Sequence, residues 1–272
     1  MSDRQHDNAV VQVIACVFAT AAGAATSMHQ LAHADHQIKD SELARRILQD
    51  ERMDMVVRMG HELLKTGMNA GSSYSEVWIR DLNTFIVPLL DVAPQQSVRE
   101  ALLVFFHFQG DDGNIVDGYV PASQARVNYK YRSSKSRPDL KAHKNTVETD
   151  QESSLVQAVC RYLRETGDVA ILDELIREIP VRKRLEMALA YPLKHRFSQK
   201  HGLILGATTA DWGDVQPEHS WGVELDASSH RAIDVYDNAL FLIAIRDYLE
   251  SACAEDALKI TWEERQVRLR RA

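Results

Sequence analysis

The residues best suited to chemistry fall in two short segments that set aspartate beside tryptophan. The first is Tyr74-Ser75-Glu76-Val77-Trp78-Ile79-Arg80-Asp81. The indole face of Trp78 can stack on the C–H side of a pyranose. Arg80 presents a planar fork of donors, and Asp81 accepts hydrogen bonds from two vicinal hydroxyls, so the three together can fix one sugar ring. The same residues equally suit a structural arrangement, with Asp81 as a helix N-cap, Arg80 as its ion-pair partner and Trp78 as a core aromatic. The second segment is Ala210-Asp211-Trp212-Gly213-Asp214, within the small and polar stretch that starts at Gly206. A carboxyl buried against an indole has a raised pKa, which lets it hold a proton near neutrality and act as a general acid. Turn formation is the alternative use of these Asp and Gly residues.

Other acidic positions carry weaker signals. Gly110-Asp111-Asp112-Gly113-Asn114 resembles a cation loop only superficially, since its acid spacing is wrong and no closing Glu follows, so a turn is expected. Asp117-Gly118-Tyr119-Val120-Pro121 can present Tyr119 to a cleft. Glu148, Asp150 and Glu152 stand at the mouth of a helix, where acids also complement the helix dipole. For each of these a structural role competes with a substrate-binding one.

Composition narrows the partners. Of the 272 residues, 45% are hydrophobic and 26% charged, enough for a sizeable core, and the net charge of −7 leaves no basic field for a phosphate backbone. Nucleic acid is therefore excluded as an expected partner. The basic cluster from Arg265 to Arg271 reads as a solvated tail within a polar stretch, 256–272. Three cysteines do not make a disulfide framework, and Cys160 and Cys253 sit in apolar helical patterns as buried free thiols. With no CxxC, HxxxH or HExxH pairing, neither a metal nor another cofactor is expected. Residues 1–34 read either as a signal peptide, with Val10–Ala25 as its apolar run and Ala32-His33-Ala34 as its cleavage site, or as an N-terminal helix. The first use implies a secreted or periplasmic protein and the second a cytoplasmic one. No other stretch approaches the ~20 apolar residues of a membrane span.

The elements that must position these residues read as helices throughout, with no run of alternating strand residues. Six helices are expected. They run from Ser41 to Lys65, from Asp81 through Leu89, from Ser97 to Phe108, from a Thr149-x-x-Glu152 capping box to Gly167, onward to His195 with a break at Pro180, and from Asp234 to Glu250. The last of these is apolar on most sides, which implies burial nearly all round. The chemistry-bearing connections, Met68–Arg80, Gly110–Val147 and Phe197–Ile233, fall at every second turn, which puts them at one end of the array. The expected fold is thus an all-α toroid of helical hairpins with a cleft at one end.

Trp78-Ile79-Arg80-Asp81 resembles the Trp-x-Arg-Asp motif of the six-hairpin glycosidases, which include glucoamylases and the cellobiose and chitobiose phosphorylases. Ala210-Asp211-Trp212-Gly213-Asp214 resembles the Asp-Trp-Asn-Asp segment of those phosphorylases, with Gly213 in place of Asn. The resemblance spans roughly residues 40–255 and implies about half of an (α/α)6 barrel over residues 35–255. It implies that Arg80 and Asp81 hold the sugar in subsite −1, Asp214 is the general acid, Trp212 lines a subsite, and Asp211 supports the loop or binds substrate. Tyr119 and Glu152 join the expected substrate-binding set. Hydrolysis is favoured over phosphorolysis, because no large N-terminal β-sandwich is seen. The implied activity is inverting hydrolysis of an oligosaccharide or glycoside, with the catalytic base beyond this chain. The alternative is a non-catalytic carbohydrate-binding or scaffold protein using Trp78, Arg80 and Asp81 as a lectin-like site.

Overall fold

The computed structural model describes residues 42–68, 75–126, 130–144, 149–207, 229–254 and 256–271. Two compact units divide between Glu62 and Leu63. The first holds helix α1 (Glu42–Leu48) and most of α2 (Glu51–Leu64). One continuous helix was expected here. The break falls at Asp50, whose carboxylate accepts from the backbone N–H of Arg52 at 3.0 Å and so starts α2 afresh.

The second unit contains helices α3 (Ile79–Val92), α4 (Gln95–Phe108), α5 (Gln151–Thr166), α6 (Val181–His195), α7 (Val235–Glu250) and α8 (Asp256–Arg270). Among its described residues are also ten short strands. Strands β1 (Val77–Trp78), β2 (Gly118–Pro121), β3 (Arg132–Ser134) and β4 (Arg137–His143) form an antiparallel sheet in the order β1-β2-β4-β3. Three two-stranded ribbons pair β5 (Leu175–Ile176) with β6 (Ile179–Pro180), β7 (Phe197–Ser198) with β8 (Leu203–Ile204), and β9 (Gly206–Ala207) with β10 (Arg231–Ala232). The architecture is therefore mixed, helix-rich but sheet-bearing, and the expected all-α toroid is corrected. The connection 110–147 is not a structureless loop, since its described part carries β2, β3 and β4 of this sheet. Strands of two to seven residues are too short to show a period of two, and β4 breaks alternation with Pro138 and adjacent polar residues.

Helix α5 lies at the centre, with Gln151 through Leu163 all buried. It packs most extensively on α3 and α7. Arg80 of α3 meets Asp150 at the start of α5, and Asn83, a turn further along, meets Gln157 at 3.4 Å. Tyr236 in the first turn of α7 likewise meets Asp150, and Gln157 donates to the Leu240 carbonyl at 2.9 Å. The three helices thus run in one direction with their N-termini gathered together. The chain returns between them through α4 and the sheet, and then through α6. Ile79, Leu82, Ile86 and Leu89 recur on one face of α3 and are at most 1% exposed, with Phe105 and Phe106 of α4 equally buried. α7 is less enclosed than its apolar composition suggested: Phe241, Ala244, Ile245 and Tyr248 are buried, whereas Val235 is 85% exposed.

Helix ends follow the local sequence in part. Gly167 closes α5 in the left-handed conformation at φ 67°, and its N–H reaches the Leu163 carbonyl. The expected capping box of Thr149 and Glu152 is replaced by longer-range bonds. The Thr149 hydroxyl donates to the Leu205 carbonyl, and Glu152 accepts from the backbone N–H of Ile115 at 2.8 Å. Pro180 does not kink a helix: it ends β6, and α6 starts at the next residue, where a fixed φ and missing N–H cost nothing. The C-terminal stretch expected as a solvated tail forms α8. Trp262 is 1% exposed, edge-on to Tyr248, with the Arg265 guanidinium over its ring. Among the described residues no helix is long and apolar enough to cross a membrane. Residues 1–34 lie outside the described residues.

Candidate functional site

The sheet and the three gathered helix starts build one buried polar cluster. In the β1–β2 register Trp78 faces Gly118, and in β2–β4 Gly118 faces His143. A side chain at Gly118 would meet the Trp78 ring at 2.6 Å, so only glycine lets the indole lie across the sheet here. The Trp78 and His143 rings meet edge to face with centroids 6.0 Å apart. Asp117, just before β2, accepts from Ile79 through its carbonyl and pairs with His143 through its carboxylate at 3.6 Å.

Chain direction at the β1–α3 junction turns Arg80 toward this cluster. Its guanidinium lies 3.6 Å from Asp117 Oδ1 and 3.5 Å from Asp150 Oδ2. The Tyr236 hydroxyl donates to the same Asp150 oxygen at 3.3 Å. In the first turn of α7, the backbone N–H of Asp237 donates to the N-cap carboxylate of Asp234 at 2.8 Å. Asp150 and Asp237 are fully buried, and Asp117 is 4% exposed. Among the described residues, Asp117 Oδ1, Asp150 Oδ1 and both carboxyl oxygens of Asp237 have no hydrogen-bond partner.

Helix N-termini favour negative charge, yet desolvation outweighs them here. Burial pushes the Asp150 carboxyl up to about 6, against the opposing pull of Arg80 and with help from Asp117. Burial pushes Asp237 further, to about 9, reinforced by Asp150 and Asp234. Asp237 therefore holds its proton at neutrality, whereas Asp150 exchanges its proton near physiological pH. Burial and the Asp150 charge likewise push the Tyr236 phenol above its ordinary range. Around one guanidinium, this arrangement accepts more hydrogen bonds than it donates and stores at least one proton.

The sequence-expected residues separate into three groups. Trp78, Arg80 and Asp81 lie together at the β1–α3 junction, and Asp81 is buried. Glu152 adjoins the cluster, but its Oε1 is occupied by the Ile115 N–H and by Lys144 Nζ at 3.3 Å. Tyr119 lies in the core, edge-on to Phe105, with its hydroxyl donating to the Ala101 carbonyl at 3.4 Å. That hydroxyl is held by backbone, and β2 alternation turns the side chain toward α4. Asp211, Trp212 and Asp214 lie outside the described residues. The Gly110–Asn114 turn expected from sequence is present. Gly113 adopts φ 97° against the Met187 carbonyl, and Asp112 accepts from the backbone N–H of Asn114.

Asp117, His143, Tyr236 and Asp237 were not in the expected site. Of these only Asp237 had a positional cue, since like Asp81 and Asp150 it falls at or next to the start of alternate helices, a cue that ordinary helix-start acids share. Among the described residues no group of three or more His, Cys, Asp or Glu is arranged to hold a metal ion. No protein-family model matches the chain, and no curated protein matches it.

Proposed function

We propose that this chain acts on carbohydrate as a glycoside hydrolase and that the Arg80-centred cluster holds one sugar ring. One observation carries the proposal. Asp117, Asp150 and Asp237 present buried carboxyl oxygens without donors, beside an arginine fork and within reach of the sheet that carries Trp78. Buried polar atoms without partners are costly, and a polyol supplies many O–H donors on a compact frame. Arg80 supplies complementary donors to ring and hydroxyl oxygens, and Trp78 supplies an apolar face. The resemblance of Trp78-Ile79-Arg80-Asp81 and of Ala210–Asp214 to the six-hairpin glycosidases points to the same substrate class.

The chemistry follows from proton placement. Glycoside cleavage needs a carboxylic acid to protonate the leaving oxygen, and in the inverting route a second carboxylate ~6.5–9.5 Å away to activate water. By the resemblance Asp214 is that acid. Asp237, neutral at pH 7, donates to a sugar oxygen, while Asp150 accepts from a hydroxyl when ionised.

The test is a panel of monosaccharides, oligosaccharides and nitrophenyl glycosides, followed by calorimetric binding and by product release. The chain is expected to bind at least one sugar, and a form that also carries the catalytic base is expected to cleave a glycoside of it. Arg80→Met should weaken that binding about 10–100-fold, as expected for loss of a charge-assisted donor pair. Binding without turnover in a form that carries that base would replace the hydrolase with a carbohydrate-binding protein. No binding and no turnover across the panel would overturn the proposal.

A further inference from the structure

The two described cysteines are far apart in sequence but adjacent in space. Cys160 is on the buried face of α5, and Cys253 lies in the turn between α7 and α8. Their sulfurs are 3.7 Å apart, across 93 residues of chain, and both residues are buried. Both are thiols in this structure. That separation is sulfur–sulfur van der Waals contact, from which a disulfide needs the atoms to close to ~2.05 Å.

We propose that Cys160 and Cys253 are a reversible dithiol–disulfide pair, oxidised by small-molecule disulfides, that locks α5 to the end of α7. The pair has the asymmetry such exchange requires. The hydrogen bond with Cys160 holds the Cys253 thiol below its ordinary range, helped by Ser251 and by the Arg182 charge. Arg182 is anchored in the same turn, donating to the Ala252 carbonyl at 2.8 Å. The same thiol–thiol hydrogen bond, together with burial, pushes Cys160 well up. Cys253, in a turn beside the exposed Ala252 and the anchored Arg182, is the attacking sulfur, and Cys160, within the buried stretch of α5, is the resolving one.

In the first step the Cys253 thiolate attacks the small disulfide, forming a mixed disulfide and expelling one small thiolate, which takes up a proton. In the second, Cys160 loses its proton and attacks the Cys253 sulfur, expelling the second small thiol. Two S–H bonds are lost, one S–S bond forms, and the two electrons reduce the small disulfide to two thiols. Local opening of the Ser251–Ala254 turn, whose Ala252 is exposed, gives the oxidant its access. The cross-link fastens helices whose other ends carry Asp150, Tyr236 and Asp237. It sets how firmly those groups are held, whatever ligand they serve.

The test equilibrates the native full-length chain with oxidised or reduced glutathione, then quenches with acid, alkylates and maps peptides by mass spectrometry. The oxidised chain should be about 2 Da lighter before alkylation, with one cross-linked peptide pair joining Cys160 to Cys253 and Cys16 still alkylated. Its thermal midpoint should rise by roughly 5–15 °C over the reduced chain, as expected for closing a long loop. Cys253→Ser should give no cross-link and no adduct at Cys160, whereas Cys160→Ser should trap a glutathione adduct on Cys253. Both thiols remaining alkylatable in the native oxidised chain would overturn the proposal. So would a cross-link that forms only in denaturant, or one that pairs Cys16 indiscriminately.

Discussion

Replacing Asp237 by asparagine should make the protein more stable near neutral pH and flatten its pH dependence. In the folded chain burial raises this carboxyl from the ordinary 3.8 to about 9. The folded state therefore keeps a proton that the unfolded state releases. The stability this provides is fully present below pH 3.8 and is lost progressively as pH rises through the folded value. By pH 7 about three pH units of that window have passed, at ~1.4 kcal/mol each, giving an upper figure of ~4 kcal/mol. Relaxation and water entry reduce this, so Asp237→Asn should gain about 2–4 kcal/mol at pH 7. The amide keeps the shape, carries no charge, and gains an N–H that can donate to Asp234 or Asp150. Few single substitutions stabilise by this much, and those that do often relieve a functional site. Guanidinium titrations of both proteins from pH 5 to 8 give the check. The difference in unfolding free energy should grow by roughly 1 kcal/mol per pH unit. Parallel pH profiles, or a less stable variant at pH 7–8, would refute the buried-proton argument.

Three further outcomes follow from the same geometry and from the proposed activity. In a form that also carries the catalytic base, Asp214→Asn should lower turnover ~10²–10⁴-fold while sparing binding, and should recover on a glycosyl fluoride or nitrophenyl glycoside; Asp81→Ala should weaken binding and rate without that recovery, as steady-state kinetics on both substrate types will show. Trp262→Ala should destabilise the second unit by about 3–5 kcal/mol, because a fully buried indole holds α8 against Tyr248; denaturant titration followed by circular dichroism measures it. Gly113→Ala should cost at least ~2 kcal/mol by the same measurement, since φ is 97° and the new Cβ would lie 2.1 Å from the Met187 carbonyl oxygen.

Helix positions were largely legible because α3, α4 and α5 carry apolar stripes long enough to show a period of 3.6. The sheet was not, because β1 has two residues and β4 opens with Arg137, Pro138 and Asp139 in succession, which breaks a period of two. Register across separate loops, Trp78 to Gly118 to His143, is a long-range property that no local window contains. At the site, the Trp78–Asp81 segment was recognisable from residue types alone. Asp150 and Asp237 were not distinguishable from ordinary helix-start acids, because what separates them is depth of burial. Tyr119 shows the converse: a tyrosine beside Asp and Gly in a loop suggested a cleft, but strand alternation aimed it at Phe105. The Thr149/Glu152 capping box failed for a related reason. Both side chains found partners on other segments, at Leu205, Ile115 and Lys144, and so were not available to their own helix start.

The most direct measurement is the titration of Asp150 itself, followed by carboxyl ¹³C NMR with and without the sugar that binds most tightly, and assigned with Asp150→Asn. Free protein should show Asp150 titrating near 6. Asp150 is already fully buried, so a bound sugar cannot desolvate it much further, and a hydroxyl donating to its carboxylate favours the charged form. Saturating sugar should therefore move the titration to lower pH. A midpoint unchanged at saturation would show that sugar hydroxyls do not reach this carboxylate, and would contradict the Arg80 cluster as the sugar site.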